Sequence, residues 1–119
     1  MSCIFCKIIE GQIPSYKVFE NDEVFAFLDI NPLKRGHMLV IPKVHSETLN
    51  DITLESLNSV MAEVKRIGAI FPSYKLEQRN GRASGQEVDH VHFHIIPSDL
   101  PFCESNDLAE ISEAIQSKI

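Results

Sequence analysis

Histidine recurs at every second position in His90-Val91-His92-Phe93-His94, which holds three of the five histidines in the chain. Successive side chains of an extended strand point to opposite faces. On such a strand His90, His92 and His94 share one face, each about 7 Å from the next. Val91, Phe93 and Ile95 fill the other, apolar face. Imidazole titrates near neutral pH and serves as nucleophile, proton carrier or metal ligand. A strand that only packs has little use for three of them. A neutral imidazole attacks phosphorus, and the covalent phospho-imidazole divides one difficult displacement into two easier ones. His92, with a same-face neighbour on each side, is the best placed to have its tautomer fixed and its leaving group protonated.

A second reactive group stands at the start of the chain. Cys3-x-x-Cys6 has the spacing of a zinc-ligand pair. A redox pair is the weaker reading, because no strand precedes it and no βαβ pattern follows. Cys103 makes the cysteine count three, an odd number that argues against a disulfide framework. The N-terminal stretch lacks a basic segment followed by an apolar one, so no secretory signal is expected. Together these features point to a reducing, cytoplasmic compartment.

The elements that must position these groups follow from periodicity. Ile8 to Gly11 predicts a short helical turn closed by Gly11. Tyr16 to Glu20 and Val24 to Leu28 predict two strands joined by Asn21-Asp22 as a hairpin turn. His37 to Pro42, with its apolar run, predicts a central strand stopped by proline. Leu54, Leu57, Val60, Met61, Val64, Ile67 and Ile70 keep helical spacing from an N-cap at Thr53 to about Phe71, just before Pro72. Lys75 to Arg79 predicts a further strand, Asn80 to Gly85 a loop, and the histidine segment a strand ending at Pro97. A last helix begins near Asp107, where Asp107 and Glu110 resemble a capping box. The class is α+β: a mostly antiparallel five-stranded sheet with one long helix and a C-terminal helix, forming a single domain over residues 1–119.

Composition bounds what such a domain does. Hydrophobic residues make up 44% and charged residues 24% of the chain, as in ordinary soluble domains. No apolar run reaches the ~18 residues of a membrane span, so no membrane partner is expected. The net charge of −6 disfavours nucleic acid as a partner. An anionic substrate then needs a locally positive site, for which Lys34, Arg35, Lys43, Arg79 and Arg82 flank the candidate segments.

The stretch His90-Val91-His92-Phe93-His94-Ile95-Ile96, together with Gly36-His37-Met38-Leu39-Val40-Ile41-Pro42-Lys43-Val44-His45, resembles the histidine-triad (HIT) family of nucleotide hydrolases and transferases. The resemblance runs from Phe5 to Pro97 and includes Ile8 to Pro14, Ala26 to Ile30 and Asn80 to Gln86. It implies a HIT-like fold, a purine nucleotide substrate and a homodimer. It implies His92 as nucleophile toward the α-phosphorus of a nucleoside phosphoramidate, with His94 binding phosphate or protonating the leaving group and His37 supporting charge from the neighbouring strand. It places Asp29 at the ribose and Ile4, Phe5, Phe27, Leu28 and Ile30 around the base. It places Asn80 and Gln86 at the phosphate and the leaving atom. The pattern is similar to the zinc-binding branch of the family, which implies a structural zinc ion held by Cys3, Cys6, His45 and His90.

At one position the chain departs from the eukaryotic type. Glu87 stands where a hydroxyl residue often assists the leaving group, and an ionised carboxylate does not donate hydrogen bonds. Three other readings compete: a dinucleoside polyphosphate hydrolase of the same family, a non-catalytic nucleotide-binding or zinc-stabilised interaction protein, and a metallohydrolase using the histidines as ligands.

Overall fold

The computed structural model describes residues 3–119. Among them, strands β1 (Lys17–Glu20), β2 (Val24–Leu28), β3 (Met38–Pro42), β4 (Tyr74–Glu77) and β5 (Phe93–Pro97) form one sheet in the order β1-β2-β3-β5-β4. Every neighbouring pair is antiparallel. Helices α1 (Ile4–Ile9), α2 (Leu54–Gly68) and α3 (Leu108–Gln116) pack around it. The architecture is the α+β class expected from the sequence. No helix among the described residues is long and apolar enough to cross a membrane.

The sheet is covered on both faces, which explains why β2 and β3 are apolar throughout rather than alternating. On one face Val24, Ala26, Met38, Val40, Phe93 and Ile95 pack with Val60, Val64 and Ile67 of α2 and Ile111 and Ile115 of α3. On the other, Phe25, Phe27, Leu39 and Ile41 lie with Phe5 and Ile8 of α1. Strand parity therefore assigns the candidate residues to a side. His94 pairs across from Leu39 of β3 and from Glu77 of β4, on the α1 side of the sheet.

Local chemistry sets the ends of the elements. The Asn21 carboxamide oxygen accepts from the amides of Glu23 (2.9 Å) and Val24 (2.8 Å), closing the β1–β2 hairpin. Thr53 caps α2 by accepting from the Ser56 amide. Beyond Gly68 the chain tightens, with the Phe71 amide bonded to the Gly68 carbonyl, so α2 stops before Phe71. Asp107 caps α3 through the amides of Ala109 and Glu110. The reciprocal half of the expected capping box is absent. Ser105 instead stands between the Asp107 amide and the Glu110 carboxylate.

One boundary differs in a way that matters. The histidine strand begins at Phe93, not His90. The Val91 amide donates to the Ser46 carbonyl (2.7 Å) in the loop after β3, so residues 90–92 are tied to that loop and not to the sheet ladder. The alternation of side chains continues nonetheless, with Val91, Phe93 and Ile95 together in the larger core. Likewise the His37 amide closes a turn onto the Lys34 carbonyl, and β3 begins one residue later.

Candidate active site and metal-ligating cluster

A cavity of about 580 Å³ opens on the α1 side of the sheet. Ile4, Phe5, Phe27, Ile30 and Asp29 line it together with His92 and His94, and Arg79, Gly85, Glu87 and Val88 border it as well. Phe5 is the hub of the buried wall, meeting Phe27 edge-on at 5.5 Å and His92 at 5.1 Å between ring centroids. Asp29 is held by the Asn31 amide, which donates to one carboxylate oxygen at 2.8 Å.

Backbone groups decide which nitrogen of each histidine carries the proton. His92 Nδ1 lies 2.7 Å from the His90 carbonyl oxygen. A carbonyl only accepts, so Nδ1 holds the proton and the neutral ring keeps its lone pair on Nε2. His37 shows the opposite arrangement. Its Nδ1 accepts from the Leu33 amide at 3.1 Å, which puts the proton of the neutral ring on Nε2. His37 Nε2 lies 3.0 Å from His94 Nδ1 and donates to it. His94 therefore carries its own proton on Nε2. The wall of the cavity thus offers one imidazole with a free lone pair and a second one as a donor, with ring centroids 5.0 Å apart.

Burial favours the neutral rings. It lowers the pKa of His92 from the ordinary imidazole value, against smaller opposing effects of the His90 carbonyl and Asp29. It pushes His94 down to about 4, helped by the neighbouring His92 and His37. It also lowers His37, where Asp29 opposes the shift.

Cys3, Cys6, His45 and His90 form a separate cluster whose ligand atoms all lie within 4.8 Å of one another. Cys3 Sγ is 3.4 Å and Cys6 Sγ 3.6 Å from His90 Nδ1, and Cys6 Sγ is 3.4 Å from His45 Nδ1. Zinc–sulfur bonds of ~2.3 Å and zinc–nitrogen bonds of ~2.0 Å at a tetrahedral angle require a separation of about 3.5 Å. His90 Nε2 donates to the Pro42 carbonyl at 2.8 Å, leaving the Nδ1 lone pair toward the thiols. Burial and the neighbouring Cys3 push the Cys6 thiol up to about 11, so a cation must displace protons to bind. The donor set fits a closed metal site.

Asp29, His37 and His94 also bring three ligand atoms within 4.8 Å of one another. Here the tautomers argue against a metal. The Leu33 amide requires the His37 lone pair at Nδ1, so Nε2, the atom facing the other two groups, is protonated. His37 donates to His94, and the Asp29 carboxylate stands 3.6 Å from His37 Nε2 as a charge beside that pair.

Two residues expected at the phosphate are not among the residues lining this cavity. Gln86 is buried, with its carboxamide oxygen accepting from the Gly81 amide (2.7 Å) and its nitrogen donating to the Glu47 (2.6 Å) and Val88 (2.9 Å) carbonyls. Asn80 accepts from the Leu49 amide and exchanges hydrogen bonds with Gln78. Neither borders the cavity, and both brace the loop that does. Of the flanking cations only Arg79 reaches the cavity. Lys43 pairs with Glu20, and Arg35 donates to the Cys103 and Ser105 carbonyls. Leu28 belongs mainly to the larger core.

A family model described as HIT domain matches residues 10–100. Adenosine 5'-monophosphoramidase HNT1 of Saccharomyces cerevisiae is 49% identical over 98 residues, covering 81% of this chain and 62% of the yeast protein. Adenylylsulfatase HINT3 of Arabidopsis thaliana is 40% identical over 101 residues, covering 80% of this chain and 51% of the plant protein. A crystal structure of a Zn-bound histidine triad family protein from Mycobacterium smegmatis superposes with a TM-score of 0.89 at 31% identity, covering 99% of this chain and 93% of the other.

Proposed function

The chain belongs to the HIT domain family, and from that membership we propose that it hydrolyses purine nucleoside 5'-phosphoramidates, AMP- or GMP-linked amines, through a nucleotidyl-His92 intermediate. The observation that carries this reading is the pair of opposed tautomers in the cavity wall, a free Nε2 lone pair on His92 beside an Nε2 proton on His94. The adenosine 5'-monophosphoramidase relative from yeast supports the substrate class.

In this reading the base lies among Ile4, Phe5, Phe27 and Ile30, and the Asp29 carboxylate accepts from the ribose hydroxyls. His92 Nε2 attacks the α-phosphorus and the P–N bond breaks. His94, held in its donor tautomer by His37, donates a hydrogen bond through Nε2 to the departing group, and the nitrogen takes the proton with which it leaves from solvent. Water then displaces the nucleotide from His92 and returns a proton to solvent. Asn80 and Gln86 act by bracing the loop.

The Cys3, Cys6, His45 and His90 cluster holds a structural zinc ion in this reading, supported by its geometry and by the Zn-bound relative. Such an ion would cross-link α1 to the loops beside the site and would not be a reacting centre. The protein is further proposed to be a cytoplasmic homodimer. The partly exposed Tyr74 and Leu76 on edge strand β4 offer apolar surface for pairing.

The test is turnover of adenosine phosphoramidate by His92→Ala. We expect activity to fall by at least about four orders of magnitude, with circular dichroism and metal content unchanged. Rapid quench of the wild type should trap a nucleotidyl adduct on His92 by mass spectrometry. A variant retaining more than a few per cent of the activity would exclude His92 as nucleophile.

A further inference from the structure

Beside the cavity that holds His92 lies a second one of about 290 Å³. Ile4, Glu87 and Val88 line both and form their common wall. The smaller cavity also reaches Glu47, Arg82 and Asp89. The charges around the junction are not balanced. Arg82 donates to Asp89 (3.1 Å) and to the backbone carbonyl of Glu87 (3.0 Å), and Arg79 pairs with Glu77 at 2.8 Å. The side-chain carboxylates of Glu87 and Glu47 have no hydrogen-bond or ion-pair partner among the described residues.

The phosphoramidase reading places the nucleoside among the apolar lining residues, its ribose at Asp29 and phosphorus at His92. Of the acidic groups lining this cavity, Asp29 is then occupied, and Glu87, which also borders the second cavity, is left for the leaving group.

Resting on that reading, we infer that Glu87, at the junction of the two cavities, selects leaving amines that carry a second positive charge, such as polyamines or basic side chains, and disfavours anionic leaving groups. The smaller cavity receives the distal ammonium, with Glu47 on its wall. The chemistry of the step is unchanged. The P–N bond of the substrate breaks as the bond from phosphorus to His92 Nε2 forms, and the departing nitrogen leaves as a neutral amine after taking one proton. The distal ammonium takes no part in it.

The experiment compares kcat/KM for AMP linked through one nitrogen of putrescine with AMP linked to pentylamine. The two differ at the distal end by a charge at similar length. At low ionic strength the wild type should prefer the putrescine compound by about three- to fivefold, the worth of one solvent-exposed ion pair. The preference should shrink as salt is added. In Glu87→Gln the ratio should fall to about one, and Glu87→Asp should restore part of it. A Glu87→Gln enzyme that keeps the wild-type ratio overturns the inference, as does a wild-type ratio near one at low salt with both compounds turned over. If the wild type cleaves neither compound, the phosphoramidase reading itself fails, and the inference with it.

Discussion

His92 and His94 are both held below the ordinary imidazole pKa by burial, and this fixes how the proposed reaction responds to pH. Nucleophilic attack needs the unprotonated Nε2 of His92. Lowering its pKa keeps that lone pair available as the solution becomes more acidic, and activity is lost only as pH falls through the lowered value. We therefore expect the acid limb of the kcat/KM profile to lie below the ordinary value of an isolated imidazole, about 6.5. A limb at or above that value would contradict the neutral, buried nucleophile. The residue types that do this chemistry were legible in the chain, because three alternating histidines have few other uses. The tautomers that carry their division of labour were not. They depend on the His90 carbonyl, the Pro42 carbonyl and the Leu33 amide. Every residue carries such groups, so no letter of the sequence marks the ones that matter.

The element whose side chains do more than the sequence suggests is the loop before the histidines. Asn and Gln in a glycine-containing loop invite the reading of phosphate ligands, and Gly81 and Gly85 do adopt the positive φ that glycine allows (94° and 93°). Yet Gln86 turns inward and joins the amide of Gly81 to the carbonyls of Glu47 and Val88. Gln86→Ala leaves those backbone groups without partners, and we expect it to destabilise the fold by about 3 kcal/mol in urea unfolding. Turnover should drop with it, since Gly85 and Glu87 border the cavity on either side of this residue. Asn80→Ala, on the exposed side of the same loop, should cost less than about 1 kcal/mol. Equal effects of the two substitutions would refute the bracing role. Strands and helices were legible to within a few residues because their apolar spacing is dictated by the sheet faces. The first residues of β3 and β5 were not, because the amides of His37 and Val91 bond to carbonyls outside the ladder.

At the scale of the molecule, the sheet separates a larger core with α2 and α3 from a smaller one with α1. The smaller core is the thinner support, and the Cys3, Cys6, His45 and His90 cluster ties its helix to the loops after β3 and before β5. Protein purified without chelator should hold close to one zinc per chain, and a ratio near zero would end the zinc proposal. Stripping the metal should lower Tm by more than about 5 °C, as expected when a ligand held only by the folded state is lost. Below that lowered Tm, turnover should persist. Immediate loss of turnover without unfolding would favour a metal at the reacting centre. The two-sided burial of β3 was visible as an uninterrupted apolar run. Which face carries the chemistry became clear only with α1 laid across it, since six residues of helix leave a weak periodic signal.

His90 serves both sites with different parts of itself. Its imidazole faces the thiols and its carbonyl sets the tautomer of His92. Substitution alters a side chain and leaves the carbonyl in place. The two duties are therefore separable in descent. A lineage can abandon the cysteines and the first histidine, hold α1 by other means, and still inherit a correctly poised nucleophile.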